Sequence, residues 1–307
     1  MTKKIYLALK SILVCLSLGV SAPVFSQQVI EIEPLFEYIQ APEELTSLQE
    51  KSDYLVEHFW DNMDFKTKNA VDQTALNHAF KVYSTPLRFS DKNKASAAVD
   101  KLIANLSKNP LLLLQFTKAA EENIYGPRAD AWIDEVYVKF LQALVKNKKI
   151  QQSRKEKYIK QLAMLENSTL GGKAPKFNFK DINGTDATYF PMATPTILIF
   201  GDPRNPDWRI SRLRMETNAA LTQAVDKGKV NVLFIVPDEI EGWQNEVTNY
   251  PRGWTVGCGE KLGDKLDIRA ASGLYFASVW FVGPEGNIES KNAPLEAVIN
   301  QALEAVK

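Results

Sequence analysis

Two nearly unbroken apolar runs, Thr196-Ile197-Leu198-Ile199-Phe200 and Val230-Asn231-Val232-Leu233-Phe234-Ile235-Val236, constrain this chain more than any other feature. A strand that is apolar on both faces must be covered on both, which is the situation inside a parallel sheet. The stretch between the runs has helical character and is expected to form one helix from Asp207 to Lys227. Strand, helix and parallel strand in that order form a right-handed crossover.

The flanking segments extend this unit. Lys176-Phe177-Asn178-Phe179 alternates, Asn183-Gly184 is a two-residue hairpin turn, and Ala187-Thr188-Tyr189-Phe190 follows. Beyond the second run a helix is expected over Ile240 to Thr248, then a glycine-rich stretch. Tyr275 to Val282 and Asn287 to Ser290 pair across Pro284-Glu285-Gly286, and a helix from Leu295 to Val306 closes the chain. The expectation for residues 169–307 is therefore an α/β domain with a central mixed sheet flanked by helices.

Residues 27–168 follow a different pattern. Pro42-Glu43-Glu44 resembles a helix start and leads into Leu45, Leu48, Leu55, Val56, Phe59 and Trp60 at three-to-four spacing. Further helices are expected over Gln73 to Tyr83 (ending before Pro86), Lys94 to Leu106, Leu111 to Glu122, Ala129 to Val145 and Ser153 to Leu165. Six helices with short breaks predict an all-α domain.

Lys3 and Lys4, the apolar stretch Ser11 to Val20, and Val24-Phe25-Ser26 form the three parts of a secretory signal, with cleavage expected after Ser26. A lipid anchor at Cys15 is the rival reading, opposed by the bulky Val14. Removing residues 1–26 takes Lys3, Lys4 and Lys10 but no acid, leaving 34 basic and 37 acidic side chains, net −3. That balance argues against a nucleic-acid partner. It also leaves Cys258 as the lone thiol, which cannot form an internal disulfide.

The region from Lys173 resembles exported thioredoxin-like proteins of the thiol-disulfide-interchange and peroxiredoxin superfamily. Lys173-Ala174-Pro175-Lys176-Phe177 and Lys180-Asp181-Ile182-Asn183-Gly184 carry the opening signature, and Asp202, Pro203 and Pro206 match the pattern Asp-Pro-x-Cys-Pro-x-Cys. Residues 111–145, above all Ala120-Glu121-Glu122-Asn123-Ile124-Tyr125-Gly126-Pro127 and Glu135-Val136-Tyr137, resemble a helical domain of unknown function that precedes such modules in exported proteins of Gram-negative bacteria. The resemblance implies a redox dithiol at positions 205 and 208, where this chain has Asn205 and Trp208. It implies a groove-lining cis-proline where this chain has Ala277. Neither Asn nor Trp can form a thiolate or resolve a mixed disulfide.

The departures define the candidate site. Asn205, Pro206 and Asp207 suit an N-cap, the first helical position and the first turn. Asn205, Asp207, Trp208 and Ala277 would otherwise form a degenerate binding rim, with Trp208 either packed inside or an exposed anchor. Cys258 is the possible reactive thiol, its bland alternative a buried cysteine. His58, Asp61 and Asp64 share a three-residue spacing that suits a capped helix end better than a metal site. No serine-nucleophile elbow or phosphate-cradling loop is present. The basic run Lys146 to Lys160 suits a solvated helix face, with attachment to anionic envelope material as the alternative.

The expected function is a non-catalytic periplasmic protein without cofactor, binding or scaffolding a protein or peptide of the cell envelope. A thiol enzyme using Cys258 and a small-ligand or glycan binder are the alternatives. No transmembrane span is expected, and nothing in the sequence specifies an oligomeric state.

Overall fold

The computed structural model describes residues 32–269 and 277–307. The expected signal segment, with Cys15 and the cleavage point at Ser26, lies outside the described residues, as does the expected strand start at Tyr275. Glu33–Lys307 forms one unit, built from a helical part and a sheet part that have their own cores.

The helical part contains α1 (Leu48–His58), α2 (Gln73–Phe89), α3 (Lys92–Leu106), α4 (Pro110–Ile124), α5 (Asp134–Lys146) and α6 (Gln152–Asn167). Helix α1 starts later than Pro42 suggests. Ser47 and Glu50 form a reciprocal capping box that satisfies two orphan donors at once. Helix α2 runs through Pro86 instead of ending before it. The hydrogen bond lost there is offset by burial of Tyr83, Pro86 and Leu87. Helix α5 begins at Asp134, because the preceding residues fold back: Trp132 Nε1 donates to the Gly126 carbonyl at 3.1 Å and Ile133 N to that of Ile124 at 2.9 Å. The core centres on aromatic side chains, among them Trp60, Phe80, Tyr83, Phe116 and Phe140. The basic run is not wholly solvated. Buried Lys155 donates to the Val145 carbonyl at the end of α5, at 2.9 Å.

The sheet part contains β1 (Phe177–Asp181), β2 (Asp186–Tyr189), β3 (Thr196–Gly201), β4 (Asn231–Val236), β5 (Thr255–Gly259), β6 (Ala277–Val282) and β7 (Ile288–Ser290). Their order is β2-β1-β5-β4-β3-β6-β7. Strands β3, β4 and β5 are parallel, while β6 runs antiparallel to β3 and β1 antiparallel to β5. The expected crossover helix is two helices, α7 (Pro206–Thr217) and α8 (Ala219–Asp226), because Asn218 caps the second through a bond from Leu221 N at 3.0 Å. The helix expected over residues 240–248 shrinks to the single turn α9 (Trp243–Glu246), and α10 (Leu295–Glu304) closes the chain.

Strand β5 fills the glycine-rich stretch, to which the sequence assigns no element. Gly257 belongs there because a Cβ would come within 2.2 Å of the Phe179 ring and 2.7 Å of the Lys180 carbonyl. Ile197 and Ile199 of β3 pack toward α7, α8 and α10, while Leu198 and Phe200 join Phe177, Phe179 and Trp280 on the other face. This two-sided burial holds the start of α7 at the C-terminal end of a rigid inner strand.

Candidate functional site: the rim at the start of α7

Strand β3 ends at Gly201, and a short turn leads into α7. In that turn Asp202 accepts a bidentate pair from Arg204, with Arg204 Nη2 at 2.8 Å and Nε at 3.0 Å. These contacts hold the Asp202 carboxyl below its ordinary range. Asn205 is the N-cap: its side-chain oxygen accepts from Asp207 N at 2.9 Å and Trp208 N at 3.2 Å. Pro206 takes the first helical position and Asp207 adds a carboxylate to the first turn. The helix end that would lower a thiol's pKa is thereby satisfied by polar side chains.

Trp208 is a packed residue, 1% exposed. Its ring stacks on Phe234 of β4, with centroids 5.0 Å apart and planes at 14°. Its Nε1 donates to the Tyr250 hydroxyl at 2.8 Å, so the buried indole N–H is satisfied. An indole fixed on both its face and its edge cannot serve as an exposed docking anchor. Ala277 opens β6 opposite Gly201 and is also buried. The four rim residues of the sequence therefore divide: Asn205 and Asp207 at the surface turn, Trp208 and Ala277 in the interior.

Cys258 lies in β5, opposite Val236 of the neighbouring strand, and is 7% exposed. Burial pushes its thiol pKa up, and the carboxylates of Glu239 and Asp238 add to the rise. His58 bonds Asp61 at 2.8 Å at the end of α1, and no cluster able to hold a metal ion occurs among the described residues.

Two arrangements have no single sequence signal. The first is a polar hollow of about 270 Å³ beside the rim, lined by Pro203, Arg209, Arg212, Asn245, Glu246, Asn249 and Tyr250. Arg209 and Arg212 at helical spacing on α7 were its only trace in the sequence. The second is a buried charge cluster of Asp134, Asp267, Arg269 and Lys291, drawn from three distant segments. Arg269 donates to Asp134 at 2.5 Å and to Asp267 at 2.8 Å, and its guanidinium lies 4.4 Å from the Tyr125 ring centre and 4.5 Å from that of Trp132. Lys291 Nζ reaches Asp267 at 2.6 Å and Asp134 at 2.9 Å. Asn292 continues the network, bonding the Asp267 carbonyl at 3.1 Å and also Ser278, the residue after Ala277.

A strand, capped turn and helix on a mixed seven-stranded sheet define a thioredoxin-like fold, with a cap at position 205 and a core residue at position 208. The chain therefore has a helical N-terminal region followed by a thioredoxin-like fold. Residues 19–168 match the family model described as Domain of unknown function (DUF5106). Among solved structures, a thioredoxin-like protein from Bacteroides caccae aligns at 19% identity with a TM-score of 0.70, over 88% of this chain and 98% of its own. A conserved protein of unknown function from Bacteroides fragilis aligns at 27% identity and TM-score 0.39, over 44% of this chain and 98% of its own. The thioredoxin domain of a thiol-disulfide oxidoreductase from Bacteroides vulgatus aligns at 18% identity and TM-score 0.34, over 45% of this chain and 99% of its own. The first of these carries the fold comparison. No curated protein matches the chain. No helix among the described residues is long and apolar enough to cross a membrane.

Proposed function

We propose that this protein is a non-catalytic thioredoxin-fold module of the periplasm that binds or scaffolds another protein or peptide. The observation that carries the reading is Trp208: the position of a resolving thiol holds an indole that is stacked, hydrogen-bonded and buried. Asn205, at the position of the attacking thiol, is occupied in capping the helix. Cys258 offers little in compensation, since a buried thiol with a raised pKa is a poor nucleophile at neutral pH. The N-terminal pattern of Lys3, Lys4 and an apolar core supports export.

Insulin-reduction and peroxide-consumption assays, with Cys258→Ser as control, test the loss of redox activity. The reading expects rates equal to buffer for both forms; turnover that disappears in Cys258→Ser would overturn it in favour of a thiol enzyme. Capture from envelope extract tests the binding half, where no partner above background would count against it. Export predicts a mature protein that begins at Gln27 in the periplasmic fraction, read by N-terminal sequencing.

A further inference from the structure

The polar hollow beside α7 has the chemistry of a specific site. Strands β4 and β6 flank β3 on opposite sides. The hollow is walled by Pro203, Arg209 and Arg212 from the turn and helix after β3 and by residues 245–250, which follow β4, whereas Ala277 opens β6 on the other side of β3, so this is not the groove between positions 205, 208 and 277. We propose that the hollow binds a peptide carboxylate, either a chain terminus or an Asp or Glu side chain. The inference rests on the binding function proposed above and names the chemistry it would recognise.

Arg209 and Arg212 stand one turn apart on one wall. Arg212 is held from three sides: its guanidinium lies 4.6 Å from the Tyr250 ring centre, Nη1 is 3.5 Å from the Asn249 carbonyl, and Nε is 3.3 Å from Glu216. Its side chain is only 15% exposed, so little freedom is left to lose when a ligand arrives. Arg209 Nη2 donates to Glu246 at 2.7 Å. Each guanidinium is thus engaged by one carboxylate, Arg209 by Glu246 and Arg212 by Glu216, and Glu216 stands outside the lining, so the faces of the two arginines toward the hollow meet only Glu246. Each guanidinium has five N–H donors, more than its contacts among the described residues use, and a carboxylate accepts such donors in parallel pairs.

The remaining lining suits main chain. The side-chain amides of Asn245 and Asn249 make no hydrogen bond among the described residues and can serve a peptide's N–H and C=O. Tyr250 is fixed by its bond to Trp208, which makes the floor rigid. A hollow of about 270 Å³ holds one acidic or terminal residue rather than a large cofactor.

The test titrates purified protein with four probes: acetyl-Ala-Ala-Ala with a free carboxylate, acetyl-Ala-Glu-Ala amide, acetyl-Ala-Gln-Ala amide and inorganic phosphate. Calorimetry or ligand-observed NMR reads the affinities. At least one carboxylate probe is expected to bind about ten-fold tighter than the Gln probe, and about ten-fold weaker to Arg209→Gln or Arg212→Gln, in line with charge-assisted hydrogen bonds. The first two probes distinguish a chain terminus from an acidic side chain. Arg209 is exposed, so its variant reports on the site even if Arg212→Gln perturbs folding. Equal binding of Glu and Gln probes, no binding of either carboxylate probe, binding unchanged in Arg209→Gln, or phosphate binding as tightly as the peptides would each overturn the assignment. An envelope partner retained by Arg209→Gln would sink the hollow and leave the binding function standing. A protein that captures no partner but binds the carboxylate probes would do the reverse.

Discussion

Position 208 has been absorbed into the core, and that has a measurable consequence. Placing a cysteine pair at positions 205 and 208 would remove an indole that fills the space against Phe234 and would strip the Tyr250 hydroxyl of its donor. Trp208→Cys should destabilise the protein by about 3–5 kcal/mol, as large-to-small core substitutions do, read as a lower urea midpoint. Asn205→Cys should lose only the cap, about 1 kcal/mol. At Cys258 the raised pKa keeps the thiol protonated at neutral pH and burial blocks access. Its reaction with a thiol reagent should be slow in the native protein and reach the rate of a free thiol once the chain is unfolded in urea. The capping role of Asn205-Pro206-Asp207 was legible in the sequence because caps are local. The fate of Trp208 was not, because its hydroxyl partner lies 42 residues further on.

At the scale of elements, the same contrast separates what the chain declares from what it conceals. Strands β3 and β4 announce themselves as apolar runs, and the β1–β2 hairpin follows from Asn183-Gly184, with Gly184 at φ +81°. Strand β5 is hidden because two of its five residues are glycines: Gly257 and Gly259 are there to admit Phe179 and Leu262, not to bend the chain. Gly257→Ala should therefore act as an overpacking change and not as a helpful loss of backbone freedom. Its Cβ would meet ring atoms and a carbonyl that sheet pairing holds in place, so the expected cost is about 1–3 kcal/mol, measured by thermal unfolding. An unchanged or higher midpoint would show that β1 can shift away. The break between α7 and α8 was missed because Asn218 interrupts a helical pattern without Gly or Pro. Only its bond to Leu221 N reveals it as a cap.

Across the whole molecule, the helical and sheet parts are joined by charge as well as by packing. Asp134 comes from the start of α5, while Asp267, Arg269 and Lys291 come from the sheet part. Asp267 is fully buried and its backbone N–H donates to Ser168 at 3.0 Å. Arg269 Nε lies 2.7 Å from Asp267 Oδ1, too bent for a hydrogen bond but close enough for an ion pair. Two cations thus face two anions, with Tyr125 and Trp132 covering the guanidinium. Burial alone would raise the Asp134 pKa, but Arg269 and Lys291 outweigh it and hold the carboxyl below its ordinary value. A depressed folded pKa contributes stability that is complete above the unfolded value of about 3.9 and is lost as pH falls through the lower folded value. Asp134→Asn leaves two buried cations facing one acid, and breaking such a cluster costs roughly 3–5 kcal/mol near neutrality. The difference in urea stability between wild type and Asp134→Asn should be at this level at pH 7 and shrink steadily below about pH 4, as wild-type Asp134 takes up its proton. A difference of the same size at pH 3 and pH 7 would mean that the charge of Asp134 does not carry its contribution to stability.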